Sequence, residues 1–314
     1  MVHQVQLPIR PPVIVHHMAA LDGRHPPNSL EAITACLEGG AAFVEVDITA
    51  LADGDYLLVH EPQLAEETTG RGPVSALSSA DAANLKIRWN GQPTSCVVPR
   101  LSQVVARFQA YPGHSRLQLD LKNVIPFGTD EPLERLVSLI RPLGERVVVS
   151  TNADWQLRRL RALAPWLDLG LDIHFYLEWR GNRQPSNPAA YPLQRGAYGY
   201  WDDHPLAQTR HWPTAAYLSD RCGMLAGLVP GLSTFYISHS LLVKSLDDGF
   251  NWANALHQRQ IKLDAWTLDT TNPRAVAHAK RLYEAGVDQF TTNTPRELAQ
   301  LLEQWADTTV TRPS

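Results

Sequence analysis

The chain has 314 residues, 44% of them apolar, and carries a formal charge of −4; this length admits one large domain or two ordinary ones, and an α/β barrel of about 250 residues with insertions fits within it. A slightly acidic chain has no general attraction for nucleic acid or an anionic membrane surface. No apolar run approaches the ~20 residues that span a bilayer, and Met1-Val2-His3-Gln4-Val5-Gln6 lacks the charged start and apolar core of a signal peptide.

Val13-Ile14-Val15 predicts the first strand. Asn28-Ser29-Leu30-Glu31 opens a helix that runs to about Leu37, before Gly39-Gly40. Residues 42–48 form the second strand. Asp53-Gly54 is a tight turn, and Tyr56-Leu57-Leu58-Val59 returns as a short strand ending at His60. Leu117-Gln118-Leu119-Asp120-Leu121-Lys122 is the third strand, Val147-Val148-Val149-Ser150 the fourth, and 167–173 the fifth. Thr234-Phe235-Tyr236-Ile237, 261–268 and Gln289-Phe290-Thr291-Thr292 complete the set of eight. Helical patterns fall at 133–143, 154–163, 246–258 and 274–285, and a closing helix follows Pro295, suited to a first helical position.

Eight strands with intervening helices predict an α/β fold, a (β/α)₈ TIM barrel with right-handed crossovers, as one domain over 1–314 with its core at about 11–306. Two departures stand out. The 50–100 region carries an extra hairpin and loop after strand 2 in place of a simple helix. A long excursion at 174–233, between strands 5 and 6, is rich in Pro and aromatic residues: Trp179, Tyr191, Tyr198, Tyr200, Trp201 and Trp212. These aromatics either pack the loop on itself or wall a lipid or choline head group by cation–π contact. Cys36, Cys96 and Cys222 form no metal-type pair, which predicts buried inert thiols in a reduced, cytoplasmic protein.

Alternate residues of a strand share a face, so Glu45 and Asp47 point the same way, and so do Asp120 and Lys122. Barrel active sites lie at the C-terminal strand ends. There the chain places His16-His17, Glu45 and Asp47, His60 on the hairpin, Asp120 and Lys122, Trp266, and Thr292-Asn293. Carboxylates without cysteine suit one hard divalent cation, Mg²⁺ or Ca²⁺. Together with the lysine, such a cation would hold an anion such as phosphate. Spacing leaves open whether His16 or His17 faces the mouth. His114, His174, His204, His211, His239, His257 and His278 belong to no motif and read as structural or surface residues.

With these residues in place, the chain resembles the glycerophosphodiester phosphodiesterase family. Its ordered motifs appear as His17-Met18-Ala19, Pro26-Pro27-Asn28-Ser29, Glu45-Val46-Asp47, His60-Glu61-Pro62-Gln63-Leu64, Thr68-Thr69-Gly70 and Asp120-Leu121-Lys122. Trp266-Thr267-Leu268-Asp269, Gly286-Val287-Asp288 and Thr292-Asn293-Thr294-Pro295 continue them, so the likeness covers roughly 11–300. The resemblance implies the same barrel, cation ligation by Glu45, Asp47 and Asp120, and His17 and His60 as the acid–base pair. It also implies phosphate binding by Lys122; Trp266, as barrel core or ligand contact, and His16 are further candidates for substrate or phosphate contact. The substrate would be a small-molecule or lipid-derived phosphodiester, cleaved to glycerol 3-phosphate and an alcohol.

Several motif positions depart from the family pattern. Met18 stands where the family has arginine, Pro27 where it has glutamate, and Asp120 where it has glutamate. His17-Met18, Asp120-Leu121-Lys122 and the Arg10-Pro11 start look more like the sphingomyelinase D branch. That branch implies an alternative, cleavage of choline phospholipids with attack by a substrate hydroxyl and a cyclic phosphate product. A third reading is a non-catalytic barrel that binds a phosphorylated ligand.

Overall fold

The computed structural model describes residues 11–111, 113–181 and 193–310, with side chains through residue 307. Arg10, Tyr191 and the first ten residues lie outside them. Among the described residues, eight parallel strands close on themselves: β1 (Val13–His16), β2 (Phe43–Ala50), β3 (Arg116–Leu121), β4 (Val147–Thr151), β5 (Asp168–Asp172), β6 (Thr234–Ser238), β7 (Lys262–Trp266) and β8 (Gln289–Thr292). Pairing of β1 with both β2 and β8 closes the ring.

Each strand is followed by a helix: α1 (Leu30–Glu38), α2 (Leu101–Ala110), α3 (Glu131–Ile140), α4 (Asp154–Leu163), α5 (Thr214–Ala226), α6 (His239–Asp247), α7 (Pro273–Glu284) and α8 (Pro295–Val310). Ser29 caps α1 by accepting the Ala32 N–H at 3.1 Å, as its sequence signature implies. No helix among the described residues is long and apolar enough to cross a membrane.

Strand alternation divides the interior in two. Val44, Val46, Ile48, Leu117, Leu119 and Leu121 face outward and join the main apolar core with the helices. The inward set is largely polar: Glu45, Asp47, Gln118, Ser150, Asp264 and Thr291 are all buried. Val15, Phe43 and Val148 form a separate small apolar cluster. Burying carboxylates and amides costs free energy unless partners satisfy them, so a polar lumen is where function should be sought.

Several expectations need correction. A crossover helix does follow the 50–100 insertion: α2 buries Leu101, Val104, Val105 and Phe108 at the i, i+3, i+4, i+7 spacing of one face. The insertion itself adds a second hairpin, Lys86–Trp89 with Gln92–Val97, turning on Asn90 (φ 51°) and Gly91 (φ 76°). Leu51, Leu57, Val59, Leu64, Val74 and Ile87 give it a satellite core. The 174–233 excursion likewise contains a barrel helix, α5. The helix expected at 246–258 is two helices, α6 and Trp252–His257, parted at Gly249 (φ 84°), with Asn251 capping the second. The helix expected at 133–143 ends at Ile140, because Pro142 brings no N–H to the ladder, and continues as a tighter turn.

The aromatic excursion packs on itself. Tyr198 stacks on Tyr217 with centroids 3.9 Å apart, and Lys244 lies over Trp179 and Tyr200 at 5.2 and 5.5 Å. Cys36 and Cys222 are buried and Cys96 is half-buried; all three are free thiols, and burial pushes the Cys36 thiol up to about 12.

Candidate active site

Glu45, Asp47 and Asp120 reach one point at the C-terminal mouth of the barrel. One ligand atom from each lies within 4.8 Å of the others. Parallel pairing of β2 with β3 sets Asp47 directly beside Asp120, while the two-residue repeat puts Glu45 on the same inner face.

The three carboxylates are held differently. The Met18 backbone N–H donates to Glu45 Oε2 at 2.7 Å. Asn28 donates through Nδ2 to Asp47 Oδ2 at 2.9 Å and accepts the Asp47 N–H at 3.2 Å. The Ser150 hydroxyl reaches Asp120 Oδ1 at 3.3 Å and itself accepts from Gln118 at 3.0 Å. Lys122 Nζ bridges two of them, 2.9 Å from Asp47 Oδ1 and 2.5 Å from Asp120 Oδ2.

Electrostatics separate the buried pair. Burial, reinforced by the Asp47 and Asp120 charges, pushes Glu45 well above the usual carboxylate range. Burial also works against the Asp47 charge, but Lys122, His60 and the Asn28 amide hold Asp47 below its ordinary value. Burial alone would lower Lys122; Asp120, Asp47 and Glu45 raise it well above a free lysine. Three carboxylates therefore face one ammonium, an excess of negative charge in a low-dielectric pocket. An all-oxygen donor set with surplus negative charge fits a hard divalent cation.

Both proton-transfer candidates line the same cavity of about 290 Å³, together with Glu45, Asp120, Lys122 and Trp266. His17 donates from Nδ1 to Asn293 Oδ1 at 2.9 Å. Asn293 cannot be turned over, because its Nδ2 donates to Asp269 Oδ2 at 3.0 Å and its N–H to Oδ1 at 2.8 Å. The chain Asp269–Asn293–His17 thus fixes the tautomer and leaves Nε2 as the acceptor. His60 lies on the hairpin after β2. Its Nδ1 is 2.8 Å from Glu61 Oε1, and its backbone N–H donates to Glu67 Oε2 at 2.8 Å.

His16 stands apart from this group. It is buried with Nδ1 2.8 Å from the Ala20 carbonyl and 3.6 Å from Cys36 Sγ, and burial lowers its pKa. It is not among the residues lining the mouth cavities, which corrects the expectation of a His16–phosphate contact: His16 ends β1 with its ring on Ala20 and Cys36, while His17 enters the mouth from the turn that follows.

Sequence reasoning missed His174 and Asp172. Asp172 ends β5, and His174 follows on the single turn Ile173–Phe175, with its N–H donating to Asp172 Oδ1 at 3.0 Å. Burial would lower the His174 pKa, but Asp172 beside it raises it. Both line the mouth, and His174 meets Trp266 edge-on with centroids 6.2 Å apart. A one-turn element has no periodicity to reveal it; the position at the end of a predicted strand was the usable signal.

The Glycerophosphoryl diester phosphodiesterase family model matches residues 20–176, half of the chain. A Mycobacterium tuberculosis protein named "probable glycerophosphodiester phosphodiesterase 1" is 26% identical over 178 residues, covering 51% of this chain and 64% of that protein. Across the curated relatives, the matches span 49% to 64% of their length. A Parabacteroides distasonis glycerophosphodiester phosphodiesterase structure superimposes with a TM-score of 0.64 at 16% identity, over 94% of this chain and 98% of that one. An Oleispira antarctica phosphodiesterase in complex with the product sn-glycerol-3-phosphate gives 0.61 at 19% identity, over 95% and 97%. At these identities the structural likeness establishes the barrel.

Proposed function

Since the chain belongs to the glycerophosphoryl diester phosphodiesterase family, we propose that it hydrolyses glycerophosphodiesters to glycerol 3-phosphate and an alcohol, using a divalent cation and a His17/His60 acid–base pair. The observation that carries this reading is the convergence of Glu45, Asp47 and Asp120 within 4.8 Å, in the same mouth that His17, His60 and Lys122 line. A phosphate-binding protein has no need of paired imidazoles whose Nδ1 atoms are both already engaged.

Glu45, Asp47 and Asp120 would hold the cation, either Mg²⁺ or Ca²⁺. When bound, it supplies neutralisation of the charge that builds on the phosphoryl oxygens. Lys122 presents its ammonium to a non-bridging oxygen while Asp47 and Asp120 aim it. His17, held in its Nδ1–H form by Asn293, takes a proton from the attacking water at Nε2. The P–O bond to the alcohol then breaks, and His60 returns a proton to the leaving oxygen. The division of labour follows from position: His60 borders a second, larger cavity as well as the phosphate cavity, whereas His17 borders only the latter. Trp266, half-buried between His174 and the mouth, closes the apolar side of the phosphate pocket.

The test is turnover of glycerophosphocholine and sphingomyelin with Mg²⁺ or Ca²⁺, followed by ³¹P NMR. A glycerol 3-phosphate signal that EDTA abolishes is expected. A cyclic phosphate would redirect the reading to attack by a substrate hydroxyl, and no chelator-sensitive product from any phosphodiester would end it. His60→Ala should lower kcat by about 10²–10⁴-fold with unchanged far-UV circular dichroism; full turnover in that variant would remove His60 from the mechanism.

A further inference from the structure

The phosphate cavity opens into a second, larger one of about 750 Å³. The two share His60, Asp120, Lys122, Asp172 and His174, so they are continuous past the reacting centre. Their chemistry differs. The small cavity presents carboxylates, imidazoles and an ammonium. The outer wall of the large one is mostly apolar: Pro62, Val124, Ile125, Pro126, Phe127 and Phe175.

Ile125 is 80% exposed, the most exposed of the large apolar side chains among the described residues. A slack loop would turn such a residue inward, since burial of an isoleucine is favourable. This loop is tied down instead. Trp155 Nε1 donates to the Val124 carbonyl at 2.9 Å. Gln156, fully buried, donates to the carbonyls of Asn123 and Ile125 at 3.1 and 3.3 Å. Arg159 donates to the Phe127 carbonyl at 3.0 Å, to the Thr129 carbonyl, and to Asp130 at 2.5 Å. Three side chains of α4 thus hold Ile125 and Phe127 at the cavity rim. An apolar surface held out of the core beside a cleft marks a binding wall.

We infer that this cavity is the subsite for the leaving alcohol and that it takes an alcohol bearing a hydrocarbon chain. The inference rests on the phosphodiesterase reading and adds the substrate class. His60 stands at the junction of the two cavities, so the oxygen it protonates leaves toward the apolar wall. Water adds to phosphorus, the bond from phosphorus to the alkoxide breaks, and the free alcohol departs along Ile125 and Phe127. A small polar leaving group, such as a second glycerol or an amino alcohol, would leave this volume and these side chains uncontacted.

The experiment is a series of glycerophosphoalkyl diesters with ethyl, butyl, hexyl and octyl leaving alcohols, each below its aggregation concentration, with Ca²⁺ or Mg²⁺ present. kcat/KM is expected to rise at least about tenfold from ethyl to octyl, a modest share of the apolar transfer free energy of six methylenes. Ile125→Asp, a change at an exposed position that poses no threat to folding, should collapse the octyl-to-ethyl ratio toward one. A flat series, or a ratio that Ile125→Asp leaves intact, would overturn the inference while leaving the phosphodiesterase reading standing. A rise seen only on added phosphatidylcholine vesicles would also overturn it, in favour of a loop that docks on lipid surfaces. No turnover of any member would remove the parent reading as well.

Discussion

Asn293 accepts the Nδ1–H of His17 at 2.9 Å while its backbone N–H and its side-chain Nδ2 each donate to Asp269. Removing the amide oxygen frees the imidazole to rotate and to change tautomer. Asn293→Ala should therefore lower kcat by roughly tenfold to a hundredfold with KM little changed, as expected for lost orientation of a base. Steady-state kinetics check this, and an effect confined to KM would reassign Asn293 to substrate binding.

The charge excess at the mouth predicts a trade between stability and cation binding. Glu45 is buried among like charges, and its only described hydrogen bond, from Met18, can equally be accepted by an amide oxygen. Glu45→Gln should raise the stability of the cation-free protein by about 1–3 kcal/mol. With Glu45 as a cation ligand in the proposed mechanism, it should also abolish the stabilisation expected from added Ca²⁺ or Mg²⁺, about 2.7 kcal/mol at a hundredfold excess over Kd. Thermal unfolding with and without EDTA measures both. A variant that is less stable without cation would contradict this account.

Gly170 on β5 makes room for the ring of Tyr236 on the adjacent strand β6. A Cβ at that position would lie 2.2 Å from Tyr236 Cε2, and the surrounding barrel cannot yield freely. Gly170→Ala should cost about 1–3 kcal/mol by overpacking. Tyr236→Leu in the same chain should recover part of that loss, a coupling that a double-mutant cycle in urea would read.

His239 and His278, on α6 and α7, approach at 2.7 Å between Nδ1 atoms. Burial, the neighbouring His278 and Arg274 lower His239 to about 4, and burial with Arg274 and Arg281 lowers His278; Asp269 and Asp247 oppose these effects. Both folded-state values lie below the ordinary 6.5, so the stability tied to the neutral pair is fully present above pH 6.5 and is lost as pH falls toward 4. For His239 this amounts to about 2 kcal/mol once partial exposure is discounted. Urea unfolding at pH 7.5 and 5 should show the loss, and His239→Gln should reduce it. An unchanged slope in the variant would place the pH dependence elsewhere.

Much of the architecture was readable along the chain because strand alternation and short apolar runs are local properties. The same alternation exposed Glu45 with Asp47, and Asp120 with Lys122, as pairs on one face. Helices α2 and α5 carry buried positions at helical spacing, but each adjoins an irregular insertion that obscures its limits in the sequence. Gly249 and Pro142 mark helix ends that apolar periodicity alone runs through.

What the sequence determined by itself was which residue types could meet. A two-residue repeat puts the carboxylates on one face of their strands whatever the rest of the chain does. Which of them do meet was decided by tertiary structure. The parallel register of β2 on β3 sets Asp47 against Asp120, and barrel closure brings Asn293, nearly the full chain length away, onto His17. His174 enters the mouth only because β5 ends at the same rim, and His16 leaves it because its ring packs on Ala20 and Cys36. Contacts between strands distant in sequence depend on register and ring closure, and these are properties of the whole barrel that no local segment contains.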